Sequence, residues 1–234
     1  MSEPLLRVLA DDVWCRDEIL GAVRSPVRMT VVRWRERELL LYSPLRISDD
    51  LARELDELGT VTDIVCPNSF HHLFAGKALA RYPDARLWGN PHLAKKRADL
   101  AFTDLFDGTE RPPWSDAVEH QLIPGMPWVN EVELLHRASR TLVVSDLLMH
   151  NPNLPLLRTR LAMGMIGAAG GPKQTWFWRF STRDRDAARP AVERILAWDF
   201  DRVVMSHGEV IDTGAREILA RSLAWLGVRN DRSA

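Results

Sequence analysis

Three stretches of this chain each place an imidazole or a carboxylate just past a short apolar run. His71 and His72 follow Ile64-Val65-Cys66, Asp146 follows Leu142-Val143-Val144, and His207 follows Arg202-Val203-Val204-Met205. If the runs are strands, three strand ends could converge on one metal ion. Neutral imidazole nitrogens and carboxylate oxygens suit Zn²⁺, Fe²⁺ or Mn²⁺, and a hydrolytic site keeps one coordination position open for water. Neighbours in an extended strand point to opposite faces, so His71 and His72 can share an ion only where the backbone turns. The stretch between Cys66-Pro67 and Leu73 reads as such a strand-to-helix junction. Each residue also has a plainer role. His72 could be a satisfied core histidine and His71 an exposed loop residue. Asp146 could cap a helix at Leu147-Leu148, and His207 could serve the turn before Gly208. His92, His120, His136 and His150 lack the strand-end context, although His150 lies four residues past Asp146.

The elements that must position these groups read as an α/β layer architecture. Met29-Thr30-Val31-Val32 and Leu39-Leu40-Leu41-Tyr42 predict a hairpin. Ser48 opens a helix with Asp49 and Asp50 in its first turn, Leu51, Leu55 and Leu58 on one face, and Gly59 at its end. A strand over Val61–Cys66 is stopped by Pro67. Leu73–Tyr82 then reads as a helix and Arg86-Leu87-Trp88 as a strand. The segment Asp104–Trp114 reads as a loop. A β-meander follows over Val118–Ile123, Glu131–His136 and Thr141–Val144, with its last turn at 137–140. Asn151–Lys173 is Leu- and Met-rich and runs into Gly164, Gly167, Gly170 and Gly171, which predicts a helical excursion ending in a mobile, lid-like loop. A helix over Asp186–Trp198, a strand at Arg202 and a closing helix over Thr213–Leu226 complete the reading. No linker divides the chain, so 1–234 is expected to be one domain, with a lid or interface excursion at about 151–178.

The 234 residues carry a formal net charge of -1, with 46% hydrophobic and 27% charged residues. That balance gives no electrostatic case for nucleic acid or an anionic membrane surface. Neither Cys15 nor Cys66 lies in a CxxC, which excludes a redox motif or zinc ribbon. No signal peptide is visible at Met1-Ser2-Glu3-Pro4, and no apolar run approaches the ~20 residues of a membrane span. The chain reads as cytoplasmic, acting on a small molecule.

The order and context of the three motifs resemble the metallo-β-lactamase superfamily. That family carries an H-x-H-x-D-H loop after a strand, then P-G-H, then G-D at a strand end, and finally G-H or S-H-G. Here Pro67-Asn68-Ser69-Phe70-His71-His72 falls at the loop, Pro124-Gly125-Met126 at P-G-H, Ser145-Asp146 at G-D, and Ser206-His207-Gly208 at the last motif. The resemblance spans roughly Arg28 to Leu226. Within the superfamily the chain is most similar to DUF4336-type proteins, through Pro26-Val27-Arg28-Met29-Thr30-Val31-Val32 and the Pro-Asn-x-x-His-His loop. It implies a four-layer αββα sandwich.

The departures from the family pattern shape the expected site. The histidines of the first metal pocket fall on Pro67, Ser69 and Met126, which implies that this pocket is absent. The second pocket falls on His71, His72, Asp146 and His207, implying a mononuclear site of three histidines and one aspartate. Asp146 and His207 are its catalytic pair. Asn68 either hydrogen-bonds the loop backbone or orients a ligand. The implied activity is that of a metal-dependent hydrolase in which one divalent ion, zinc first and iron or manganese otherwise, activates water. The competing class is a non-catalytic protein that keeps the fold for binding or as a scaffold. A mononuclear iron oxidoreductase would also fit the ligand set. Trp176-Phe177-Trp178 could line an apolar pocket or pack in a core or interface, and a homodimer would suit such exposed aromatics.

Overall fold

Runs of β-branched and aliphatic residues, broken by charged turns, build two mixed sheets in the computed structural model, which describes residues 3–22 and 24–228. The first half contains β1 (Arg7–Ala10), β2 (Val13–Leu20), β3 (Ser25–Arg35), β4 (Glu38–Tyr42), helix α1 (Asp49–Leu58), β5 (Thr60–Val65), α2 (Ala75–Arg81), β6 (Arg86–Gly89), α3 (Pro91–Lys96) and β7 (Asp104–Leu105). Its strands form one sheet in the order β1-β2-β3-β4-β5-β6-β7. β1 to β4 are antiparallel, and β4 to β7 are parallel. The second half contains β8 (Val118–Leu122), β9 (Val132–His136), β10 (Thr141–Val144), β11 (Met149–Asn151), α4 (Leu157–Met165), β12 (Gly170–Lys173), α5 (Trp176–Ser181), α6 (Arg185–Ala197), β13 (Arg202–Met205) and α7 (Ala215–Leu223). The second sheet runs β13-β10-β9-β8, with β10 and β13 parallel, and β11 pairs with β12 apart from both sheets.

Side-chain alternation along the strands sets the layers. In β4, Leu39 and Leu41 pack under α1 and α2, while Leu40 and Tyr42 face the other sheet. In β10, Val143 joins the inter-sheet core, and Leu142 and Val144 pack against α6 and α7. Three apolar layers therefore separate helix, sheet, sheet and helix, as in the expected αββα sandwich. Among the described residues no helix is long and apolar enough to cross a membrane.

Local signals held where the chain carries them. The Ser48 hydroxyl accepts the Leu51 N–H at 3.2 Å and caps α1. A Cβ at Gly59 would meet the Arg37 carbonyl, so that helix end requires glycine. The N-terminal hairpin of β1 and β2 pairs with β3. Three expectations need correction. The segment Asp104–Trp114 is not all loop, because β7 completes the sheet edge. The glycine-rich stretch at 170–173 is not a free loop, because Lys173 and Gly170 register with Met149 and Asn151. No helix follows Asp146, and the chain runs directly into β11.

Candidate metal centre

The ends of β5, β10 and β13 lie at one rim of the sandwich, on the carboxyl side of parallel strand pairs, where α/β sheets collect chemistry. β5 leads through Pro67 to His71, β10 leads to Asp146, and β13 leads to His207. The two sheets are tied together at this rim by backbone bonds, Val132 N–H to the Pro67 carbonyl at 2.9 Å and Ser69 N–H to the Val129 carbonyl at 3.3 Å. Gly208, at φ 93°, keeps the last loop tight, since a Cβ there would collide with the His150 carbonyl.

The structure brings three of the four expected ligands together. His71 Nε2 lies 3.1 Å from His207 Nε2 and 3.6 Å from Asp146 Oδ2, and His207 Nε2 lies 3.3 Å from Asp146 Oδ1. Ligand atoms at about 2.0–2.1 Å around a tetrahedral zinc ion stand about 3.3–3.4 Å apart, so the donor set fits one ion. The outer ring nitrogens are also committed. His207 Nδ1 lies 2.7 Å from the Pro26 carbonyl, which only accepts, so Nδ1 carries the proton and Nε2 turns its lone pair inward. His71 Nδ1 is held by the Ser43 hydroxyl at 2.8 Å. Burial opposes the charge on Asp146, but the facing His71 and His207 rings overcome it and hold the carboxyl well below the usual range. Burial likewise pushes His207 down, and the Asp146 carboxylate reverses this and raises it.

His72 is not brought to the cluster, which corrects the four-ligand expectation. The chain turns between the two histidines, and the His72 ring goes the other way. Its Nδ1 accepts a 2.9 Å bond from the Arg97 guanidinium. Burial, with Lys96 and Arg97 nearby, lowers its pKa and keeps the ring neutral. Asn68 fills both roles weighed for it. Its Oδ1 accepts from Phe70 N–H and His71 N–H at 2.8 and 3.1 Å, and its Nδ2 donates to Asp146 Oδ2 at 2.8 Å. A single buried amide therefore ties the His71 backbone to the Asp146 carboxylate. The aromatic triplet divides, with Trp178 in the core, Phe177 lining a cavity and Trp176 exposed.

Glu131 was read only as part of a strand, yet it builds the loop that carries Asp146. Its Oε1 accepts the backbone N–H groups of Ser145, Asp146 and Leu147 at 2.9, 2.6 and 3.0 Å, and its Oε2 accepts the Trp178 indole at 3.0 Å. Burial, with Asp146 adding its charge, pushes the Glu131 carboxyl up to about 7. Glu133, two residues along the same strand face, is raised further by burial and by the neighbouring Glu131 charge. The available signal was an acid at the mouth of an apolar strand, in a sheet covered on both faces.

Above the three groups lies a cavity of about 470 Å³ whose walls include Val27, Phe70, Met149, Met163, Ile166 and Phe177. The positions where the family's first pocket would be are closed instead. Met126 is fully buried in the helix-side core, and Ser69 is buried in its own loop with its hydroxyl unpartnered.

The profile of a family described as "Domain of unknown function (DUF4336)" matches residues 10–159. No curated protein matches the chain in sequence. Among solved structures, the DIM-1 metallo-β-lactamase is 13% identical with a TM-score of 0.64, over 94% of this chain and 96% of that one. A metallo-β-lactamase from Pontibacter korlensis is 14% identical with a TM-score of 0.61, over 96% and 99%. The Flv1 flavodiiron core from Synechocystis sp. PCC6803 is 12% identical with a TM-score of 0.64, over 95% of this chain and 60% of that one. At these identities the likeness shows the fold, which is that of the metallo-β-lactamases.

Proposed function

The chain belongs to the DUF4336 family, and on that footing we propose that it is a metal-dependent hydrolase with one ion held by His71, Asp146 and His207. The observation that carries this reading is the convergence of three donor groups, their nearest atoms 3.1–3.6 Å apart, at the floor of a cavity. Zinc suits two imidazoles and a carboxylate, and iron or manganese would also be accepted. The chemistry such an ion supplies is Lewis acidity, which acidifies water and polarises a carbonyl or phosphoryl oxygen.

The protein's own groups position the reaction. The Pro26 carbonyl fixes the His207 ring with its Nε2 lone pair inward, and the Ser43 hydroxyl orients the His71 ring. Asn68 and Glu131 fix Asp146 through its side chain and its backbone. Asp146, held ionised by the facing rings, would serve as an acceptor that orients the attacking water through a hydrogen bond.

A second reading, a fold kept for binding alone, is favoured by one observation: the two rings and the carboxylate can satisfy one another once a proton sits between them. Elemental mass spectrometry of protein purified without chelator, wild type beside Asp146→Ala, separates the two. The hydrolase reading expects about one ion per chain, lost in the variant. Metal-free protein that takes up no ion from excess zinc, iron or manganese would establish the binding-only reading.

A further inference from the structure

We infer that the cavity above His71, Asp146 and His207 takes a neutral acyl compound, an ester or lactone with an apolar chain or ring, and rejects anionic substrates. The inference deepens the hydrolase reading by naming its substrate class and rests on it for turnover, though not for binding. Its basis is the contrast between the floor and the walls of the cavity. The floor offers polar atoms at one point only. The walls are aliphatic, aromatic and thioether side chains, with hydroxyls at Ser25, Ser43 and Thr175 and the uncharged imidazole of His72. Among the described lining residues there is no lysine or arginine.

The two cations nearest the loop are already committed. Lys96 donates to the Ser69 carbonyl at 2.7 Å, and Arg97 is paired with Asp99 while holding His72. A phosphodiester or a substrate carboxylate would therefore bring a charge against an apolar wall, with the Asp146 carboxylate below it and no lysine or arginine among the described lining residues, the nearest arginine on the Leu45 side, Arg46, lying over the Phe74 ring. A neutral ester presents one polar carbonyl to the floor and buries the rest. A volume of about 470 Å³ is in the range that encloses a small, drug-sized molecule.

The rim points to the same chemistry. Phe70 and Leu73, both lining the cavity, are 43% and 69% exposed, large apolar side chains that a bound chain would cover. Phe70 meets Phe177 edge to face across the mouth at 5.9 Å between centroids. Met149 and Met163 give flexible walls that adapt to different chain shapes. In the reaction, water adds to the acyl carbon and the carbon–oxygen bond to the alkoxide breaks. The proton released by water ends on that alkoxide, so no oxidant or reductant enters.

The test has two arms. In the first, bound Nile red is displaced by the non-hydrolysable neutral ketone 2-undecanone, in wild type and Phe70→Ala. Displacement from wild type, weakened several-fold in the exposed-loop variant Phe70→Ala, is expected. Absence of displacement, or stronger displacement by decanoate or bis-p-nitrophenyl phosphate, would overturn the assignment. In the second arm, zinc-loaded protein is given p-nitrophenyl esters from acetate to octanoate. A kcat/KM that rises at least about tenfold along the series, through KM, follows from about 0.8 kcal/mol per buried methylene. A flat series with faster phosphodiester cleavage would again overturn it. Ketone binding without hydrolysis of any ester would remove the hydrolase reading and leave the ligand class standing.

Discussion

The loop Pro67–His72 meets two environments that differ in one physical respect. At its start, Pro67 and Ser69 are buried, the matching third position, Met126, lies in an apolar core, and none of the three brings an imidazole or carboxylate. At its end, His71 faces Asp146 and His207 across a cavity open to solvent, and every polar atom of the cluster has a partner. The same backbone thus closes one pocket by packing and keeps the other by hydrogen bonding. The difference lies in what stands behind each group: a thioether behind the first, and Asn68, Ser43, Pro26 and Glu131 behind the second.

The largest expected effect comes from cutting the support behind Asp146. Glu131→Ala leaves three backbone N–H groups and an indole N–H buried without an acceptor, at about 1–3 kcal/mol each where no water replaces it. Denaturant unfolding is expected to show a loss of about 3 kcal/mol or more. Glu131→Gln, which keeps an acceptor oxygen, should lose less, and equal losses would show that Glu131 does not hold the loop.

Next in size is the contrast between Asn68 and His72. Asn68→Ala should weaken metal binding by roughly 10–100-fold, the usual effect of losing a group that orients a ligand. His72→Ala should leave affinity within about twofold, because Arg97 holds that ring away from the cluster. A titration with a competing chelator measures both, and metal loss on His72→Ala would restore the four-ligand site.

Met126→His puts the family's missing imidazole back into the closed pocket. The ring enters an apolar core, so the ion count should stay at about one per chain. Stability should fall by about 1–3 kcal/mol, as for a misfitted polar group in a packed site. A count of two would mean that the pocket is only masked.

The smallest effect is a pH dependence. Glu131 and Glu133 have carboxyls raised above the ordinary 4.5, Glu131 to about 7 and Glu133 well above it. Folded protein then keeps protons that the unfolded chain releases, so stability falls as pH rises from about 4.5 through 7. Glu133 also has one buried oxygen without a partner. Glu133→Gln should therefore raise Tm at pH 8 by roughly 2–4 °C for each kcal/mol recovered, and change it little at pH 5. An equal shift at both values would remove ionisation as the cause.

Much of this was legible in the residues, and the misses have physical reasons. The strand ends at Val65, Val144 and Met205 showed as apolar runs, and the cap at Ser48 and the meander turn at 137–140 showed as local chemistry. Glu131-Val132-Glu133 has the alternation of a strand with one wet face, but α5 and α6 cover that face, and burial by a later segment leaves no mark on the strand itself. The pairing of 170–173 with β11 was hidden for a similar reason, since a glycine-rich strand has no side-chain pattern. His71 and His72 differ by a turn that adjacent identical residues cannot announce.

By itself the sequence determined the layer order, the three strand ends and the residue types present there, because periodicity, caps and turn residues act over a few positions. It also determined that Pro67, Ser69 and Met126 bring no imidazole to the first pocket. Only the tertiary structure decided that His71 and not His72 joins Asp146 and His207, that Glu131 and Asn68 brace them, and that an apolar cavity without a cation stands above. The meeting of His71 with His207 and the Asn68 brace depend on groups 78 to 181 positions apart coming within hydrogen-bond distance, which no local pattern encodes.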